Sequence, residues 1–364
     1  MKMKKILILV NHDVVIYNFR LEIVERLLEE GHEVYVSCPY GSKIDKLIDL
    51  GCKYIDVEID RHGMNIVSEI KLLTYYFRLL KEIKPDTVLS FTIKPNIYGG
   101  IASRILKIPY IANITGLGTA VEKKGLKQKI SMSLYKLAFK RVKRVFFQNT
   151  ENQQLFIKNN IAVDRHKLIP GSGVNLNRYS ILKYPQDEKI QFVFISRIMK
   201  EKGVEEYLKA AEFIKNKYPQ TNFHVCGFCE ENYEDTLNAL QDKEIIRYHG
   251  MVHNVEEILK ESHCTIHPTF YPEGMSNVLL ESSACARPII TTDRSGCREI
   301  VEDGVTGYIV EQQNVKDLIE KIELFLQLSY ASKQQMGLAG RKKVEQEFDR
   351  EIVVNEYLNV INEE

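Results

Sequence analysis

Tyr271-Pro272-Glu273-Gly274-Met275-Ser276-Asn277-Val278-Leu279-Leu280-Glu281 reads as a turn that leaves a strand and enters a helix. Before it, Cys264 to His267 form a short apolar run suited to a strand, and after it Asn277 to Ala286 follow a helical pattern. Ser276 or Asn277 suits the N-cap, while Gly274 lets the backbone approach a ligand with no Cβ in the way. Unpaired N–H groups at such a helix start, together with the dipole, make an anion site that suits phosphate. Glu273 stands just before that site and Glu281 lies about two turns into the helix. A capped surface helix with two solvated glutamates fits the same residues, so the turn needs a second site to decide its meaning.

That second site is Phe192-Val193-Phe194-Ile195-Ser196-Arg197-Ile198-Met199-Lys200-Glu201-Lys202-Gly203. A buried strand runs out into Arg197 and Lys202, and Gly203 then opens a helix. A guanidinium fork and an ammonium at the carboxyl end of a strand suit a diphosphate, the first gripping it bidentately and the second adding a point charge.

Outward from these two turns, strands alternate with helical patterns along the whole chain. In the first half the strands are Lys5 to Val10, Glu33 to Ser37, a third led by Gly51 to Asp56, Thr87 to Phe91 and Tyr110 to Ile114. The loop Asn11 to Tyr17 leads into a helix ending near Gly31, and long helical patterns cover Ile66 to Ile83 and Ile97 to Leu106. Gly- and Pro-rich residues 169–175 place a linker, after which strands recur near Gln191–Ser196, Asn222–Cys226, Ile245–His249, Cys264–His267, Pro288–Thr292 and Gly307–Val310. Such alternation implies βαβ units and parallel sheets in two doubly wound α/β domains, residues 1–172 and 173–348. Asn11 to Tyr17, after the first strand, contains no glycine, which argues against a dinucleotide-binding dehydrogenase.

The Arg-x4-Lys-Gly loop paired with Glu-x7-Glu resembles the retaining GT-B glycosyltransferases of sequence family 4. Phe91-Thr92-Ile93-Lys94-Pro95-Asn96-Ile97-Tyr98-Gly99 and Asn113-Ile114-Thr115-Gly116-Leu117-Gly118 are similar to the branch that builds capsules, O-antigens and lipid-linked glycans. The resemblance implies a GT-B fold: two Rossmann-like domains facing a cleft, the first binding the acceptor and the second the nucleotide sugar. A final helix, within residues 349–364, would cross back to the first domain. It also implies that Glu281 holds the ribose hydroxyls and that Glu273 faces the donor sugar. Arg197, Lys202 and the amides of Gly274, Met275, Ser276, Asn277 and Val278 would stabilise the departing diphosphate. Backbone near Met251 and Val252 is expected to meet the base, and the Gly116 loop to cover the diphosphate and sugar. Many family members have a histidine near Gly116, so a histidine role in transfer is in doubt here.

His12, Arg20, His62 and Lys94 are candidates for acceptor contacts, with a structural or solvated role as the competing reading of each. The expected donor is a UDP-sugar, with an N-acetylhexosamine such as GalNAc first, and the expected acceptor is a saccharide on undecaprenyl diphosphate. A GDP-sugar, a glycolipid acceptor or a non-catalytic scaffold role are the alternatives. Arg197 and Lys202 can do the work of a metal, so no cofactor or metal is expected. Retention follows from the resemblance alone, and front-face attack suits it, the leaving phosphate oxygen taking the acceptor's proton.

Composition sets the setting. Hydrophobic residues at 44% and charged residues at 27% are those of a folded globular chain, and no apolar run approaches the ~18 residues of a membrane span. The short apolar run after Met1-Lys2-Met3-Lys4-Lys5 reads as a strand and not a signal peptide, giving a cytoplasmic expectation that seven cysteines without framework spacing match. Cys226 and Cys229 have metal-ligand spacing but no second pair, and are read as loop thiols. A net charge of +1 conceals an asymmetry: residues 1–172 carry 28 basic and 17 acidic side chains, residues 173–364 carry 22 and 32. Lys123 to Arg144 hold nine basic residues, Lys123, Lys124, Lys127 and Lys129 among them, and no acidic one. Leu126, Ile130, Leu134, Leu137 and Phe139 lie between them, the pattern of a helix resting on an anionic membrane. No nucleic-acid recognition module accompanies this charge.

Overall fold

The computed structural model describes residues 2–59, 65–118, 121, 125–186 and 188–363. Two compact units emerge, one of residues 1–172 with 350–364 and one of residues 173–349. His62, Lys123 and Lys124 lie outside the described residues.

In the first unit β1 (Lys5–Leu9), β2 (Glu33–Cys38), β3 (Lys53–Asp56), β4 (Thr87–Phe91), β5 (Tyr110–Ile114), β6 (Arg144–Phe147) and β7 (His166–Leu168) form one sheet. Its order is β3-β2-β1-β4-β5-β6-β7, with every pair parallel. The alternation of side chains along β1 explains its burial: Leu7 and Leu9 enter the core on one face, Ile6 and Ile8 the core on the other. The helix Arg350–Asn362 belongs to this unit because Val353, Val354, Tyr357 and Ile361 complete the second core. Its Tyr357 hydroxyl accepts from Asn113 Nδ2 at 2.5 Å, inside a buried network that also joins Ser90, Asn96 and Tyr110.

The second unit repeats the plan. β8 (Ile190–Ile195), β9 (Thr221–Cys226), β10 (Arg247–Tyr248), β11 (Cys264–His267), β12 (Ile289–Thr292) and β13 (Gly307–Val310) are parallel, ordered β10-β9-β8-β11-β12-β13. In each sheet the chain starts at a central strand, winds to one edge and returns to the other side of that strand. The switch points are therefore β1/β4 and β8/β11, and ligands of such sheets bind outside the carboxyl ends of those strands.

Four sequence expectations are corrected. The segment Asn11 to Tyr17 is mostly helix, Asp13–Phe19, because His12 Nδ1 caps it by accepting from Val14 N at 3.2 Å. Strand Ile245–His249 shrinks to β10, since Ile245 and Ile246 turn into the core and only two residues pair with β9. The helix after Glu273 ends at Ala284, as Ala286 takes a left-handed φ of 57°. The helix near Ile97 starts earlier, as a π turn over Pro95–Gly99.

Candidate active site

At the β8/β11 switch point the two motifs meet. Lys200–Lys202 form a 3-10 turn, and Gly203, at φ 79°, starts the helix Val204–Lys217. Glycine is required there, because a Cβ would lie 2.1 Å from the Pro268 carbonyl oxygen. This close packing brings the lysine turn onto the loop after β11, where the Glu201 carbonyl accepts from Phe270 N at 2.9 Å. As a result Lys202 Nζ makes a short ion pair with Glu273, both side chains nearly buried. Burial raises the Glu273 carboxyl, but the adjacent ammonium outweighs it and holds the group at about 2. Arg197, more exposed, pairs with Glu230 at 2.5 Å. Tyr271 stands between the two cations, its ring 4.7 Å from Lys202 Nζ and 5.3 Å from the Arg197 guanidinium carbon.

The loop Gly274 to Asn277 is shaped by the turn after β12. Gly296 has φ 88°, and a Cβ there would meet the Gly274 carbonyl at 2.7 Å and Glu273 Cβ at 3.0 Å. Ser276 is the N-cap of the helix Asn277–Ala284, but its side chain makes no cap hydrogen bond and its N–H donates to Gly296 O at 2.8 Å. The N–H expected to face an anion at Ser276 is therefore already used. Met275 is buried in the core, and Val278 packs against it. Glu281 faces Tyr179, whose hydroxyl is pushed up by burial first and then by that carboxylate. Met251 and Val252 follow β10 and are held near the Gly227 turn, where Gly227 N donates to Gly250 O at 2.7 Å; Met251 is exposed and Val252 partly buried.

In the first unit, the carboxyl ends of β1, β4 and β5 carry the remaining candidates. His12 caps its helix and stays partly exposed. Lys94 pairs with Glu69 at 2.6 Å, two residues after Thr92, which holds a left-handed φ of 71°. A β-branched residue there is strained, a feature that gathers at functional turns. Gly116 at φ 139° and Gly118 at φ 66° shape the loop after β5, where glycine meets a backbone demand that histidine resists. Arg20 is corrected: it is buried, donates from Nη1 to Phe19 O at 2.6 Å and lies 5.2 Å from the Phe91 ring centre, so it serves the core.

Two family models account for most of the sequence. The one described as "Glycosyl transferase 4-like" matches residues 5–149, and the one described as "Glycosyl transferases group 1" matches residues 182–343. The chain is a GT-B glycosyltransferase of family 4. It is 29% identical, over 95% of both chains, to the N,N'-diacetylbacillosaminyl-diphospho-undecaprenol alpha-1,3-N-acetylgalactosaminyltransferase of Campylobacter jejuni. An Escherichia coli UDP-Gal:alpha-D-GlcNAc-diphosphoundecaprenol alpha-1,3-galactosyltransferase is 26% identical over 83% of this chain and 82% of its own. The crystal structure of Anabaena HepE in complex with UDP and glucose superposes with a TM-score of 0.79 at 17% identity, covering 98% of each chain.

For this glycosyltransferase, sequence reading found both motifs but missed the residues that fix them. Glu230 and Tyr271 contact the cations, Gly296 shapes the loop Gly274 to Asn277, and Tyr179 faces Glu281. Tyr271 lies within the Glu-x7-Glu turn region, two residues before Glu273, where an aromatic beside the first glutamate is the available signal. Glu230 and Gly296 come from distant loops, and no spacing announces them.

Proposed function

We propose that the enzyme moves an N-acetylhexosamine such as GalNAc from a UDP-sugar to a saccharide carried on undecaprenyl diphosphate. The observation behind this is the pair of cations at the β8/β11 switch point, aligned by Tyr271 and set beside the helix start at Asn277. A diphosphate there would be met by Arg197 bidentately and by Lys202 as a point charge, with the amides of Gly274, Met275, Asn277 and Val278 completing the cradle and that of Ser276 committed to Gly296 O. Glu273 would face the donor sugar, Glu281 the ribose, and backbone near Met251 and Val252 the base. Residues 173–349 thus take the donor and the first unit the acceptor, through the strained turn at Thr92, Lys94, His12 and the Gly116 loop. The activity of the Escherichia relative supports a UDP-linked donor, that of the Campylobacter relative an N-acetylgalactosamine, and both a diphosphoundecaprenol-linked acceptor.

Transfer proceeds with retention and without a metal in this reading. Two cations already offset the charge on the leaving phosphate, whose oxygen accepts the proton of the incoming hydroxyl on the same face. Among the described residues no group of three or more His, Cys, Asp or Glu is arranged to hold a metal ion.

A membrane surface is the proposed second partner. No helix among the described residues is long and apolar enough to cross a membrane. The helix Leu126–Ala138, however, shows two faces. Met132, Tyr135 and Ala138 enter the core, whereas Leu126, Ile130 and Leu137 are exposed on the opposite side with Lys127 and Lys129 beside them. The five-residue apolar stripe expected from sequence is thereby divided, since Phe139 joins the core and Leu134 packs partly against it. Exposed Ile66, Val67 and Ile70 add apolar surface in the same unit. This arrangement suits the inner face of the cytoplasmic membrane, lysines on lipid phosphates and leucines inserted shallowly. Reversing Lys127 and Lys129 to glutamate is expected to weaken flotation with anionic liposomes at least about tenfold, at about 1 kcal/mol per charge near the surface. Undiminished flotation would remove this helix from the account.

The reaction itself is tested by release of UDP or GDP across a panel of nucleotide sugars, with a membrane lipid extract as acceptor and EDTA present. Release that needs one UDP-sugar and lipid is the expected result. Dependence on a GDP-sugar, or full inhibition by EDTA, would overturn the donor or the metal-free part of the proposal.

A further inference from the structure

Backbone that reads a nucleoside base has to hold its N–H and C=O groups still, and in this chain it follows the shortest strand of its sheet. β10 lies at the edge and pairs with β9 through two residues, Arg247 and Tyr248. So short a ladder leaves its end open to local fraying unless side chains hold it. On one face the Tyr248 hydroxyl does so, donating to Gly227 O at 3.0 Å. On the other, His249 joins a relay that crosses three strands.

The relay runs from Gln191 on β8 through His224 on β9 to His249. His224 Nε2 stands 2.8 Å from Gln191 Oε1, and His224 Nδ1 stands 2.8 Å from His249 Nε2. The two imidazoles are stacked, with centres 5.1 Å apart and planes at 22°. Burial lowers the basicity of both rings, and the neighbouring His249 and Arg247 lower that of His224 further, to about 4, so both are neutral at pH 7. A neutral ring gives one N–H and takes one, which fixes the order: Gln191 Oε1 accepts from His224 Nε2, and His224 Nδ1 accepts from His249 Nε2. The side-chain bonds thus tie the end of β10 back to the central strand. Main-chain bonds continue from there. His249 N donates to Val225 O at 2.9 Å, and Gly250 O accepts from Gly227 N at 2.7 Å, directly before Met251 and Val252. Gly227, at φ 146°, lies so close to the exit of β8 that a Cβ would stand 1.7 Å from Ser196 O.

We propose that His249, backed by His224 and Gln191, is a positioning residue for the nucleoside base: it holds the backbone at Met251 and Val252 in the place that favours uracil. The inference rests on the reading that this backbone meets the base. It divides the donor site into two separable parts. Arg197 and Lys202 take the diphosphate, while the relay sets which base that diphosphate can carry.

The test compares His249→Phe, which keeps a flat ring without the N–H, with His249→Gln, which restores a donor at similar reach. His224 and His249 border a cavity of about 600 Å³, so the larger ring has room. UDP, GDP and pyrophosphate are titrated calorimetrically into the intact chain, and transfer kinetics are measured alongside. His249→Phe should weaken UDP about tenfold, leave pyrophosphate within about threefold of wild type and narrow the preference for UDP over GDP. KM for the UDP-sugar should rise with kcat nearly unchanged, because base contacts hold substrate and transition state equally. His249→Gln should recover UDP to within about threefold. Equal weakening of UDP and pyrophosphate, or of neither, overturns the proposal, as does a His249→Gln protein no better than His249→Phe. Should His249→Phe not fold, Gln191→Leu replaces it at the far end of the relay, with a loss of about threefold expected for UDP and none for pyrophosphate. Wild-type UDP affinity in that variant then overturns the proposal. Hydrogen exchange separates the two readings: in the wild-type protein UDP, and not pyrophosphate, should protect the amides of Gly250 to Val252. Absence of that protection sinks the base reading together with this inference, whereas protection with an unaffected His249→Phe sinks this inference alone.

Discussion

Lys202→Ala is expected to lower kcat/KM for sugar transfer by about 10²–10³-fold, the effect of removing one preorganised charge from a departing oxyanion. Arg197 offers less, because it is more exposed and shared with Glu230 at 2.5 Å. The lysine variant should also lose about 3 kcal/mol of stability, since truncating one member of a nearly buried ion pair strands the other. These two losses separate cleanly. In a Lys202→Met, Glu273→Gln double variant neither side chain carries a charge, so stability should return while transfer stays impaired. Donor-dependent UDP release and urea unfolding measure the two quantities, and a Lys202→Ala enzyme within about threefold of wild type would remove Lys202 from the mechanism.

The same pair sets an acid limit. Folding holds the Glu273 carboxyl at about 2 against its ordinary 4.5, so the folded state binds that proton more weakly than the unfolded chain. Its contribution is therefore complete above about pH 4.5 and disappears as pH falls toward 2. Wild type should accordingly lose more stability across that window than Glu273→Gln, whose side chain does not titrate.

Much of this was written into the sequence, for physical reasons that differ between fold and site. Strands such as Thr87–Phe91 and Cys264–His267 were placed to the residue because parallel strands covered on both faces read as continuous apolar runs. Asp13–Phe19 escaped because its start depends on a histidine cap, an uncommon signal, and β10 because Ile245 and Ile246 supply apolar pattern without pairing. The site divides in the same way. Arg197, Lys202, Glu273 and Glu281 lie in local motifs with fixed spacing. Tyr271, Glu230 and Gly296 act through contacts that only the sheet order creates, since β8 and β11 are neighbours across more than sixty residues of chain. Arg20 shows the opposite failure: its charge suggested a ligand, while its surroundings are aromatic and buried.

Arg287→Met should be the most destabilising single change in the second unit, by about 3–5 kcal/mol, because a buried charge site loses its donors all at once. Nothing in Ala286-Arg287-Pro288 announces this, yet the side chain is 0% exposed. Among the described residues its guanidinium donates to carbonyl oxygens. Nε reaches Leu259 O at 2.7 Å, Nη1 reaches Leu182 O at 3.1 Å and Cys285 O at 3.2 Å, and Nη2 reaches Lys183 O at 2.8 Å. Leu259 O and Cys285 O lie at the ends of the helices Val255–Glu261 and Asn277–Ala284, electronegative ends where they also accept from Ser262 N at 3.1 Å and Leu182 N at 3.4 Å. One planar fork thus ties two helix ends to the segment entering the unit, and methionine fills the volume while withdrawing the charged donors from those oxygens. Lysine restores the charge but not the fork, so Arg287→Lys should recover less than half of the loss. Because the helix Asn277–Ala284 begins at the loop proposed to hold the diphosphate, destabilisation should loosen donor binding only as far as the folded fraction falls. Calorimetric unfolding should show a drop of about 10 °C for Arg287→Met, at 2–4 °C per kcal/mol for a unit of this size. A drop below about 3 °C would mean that water or neighbouring N–H groups satisfy those carbonyls, and that the guanidinium is a passenger in the core.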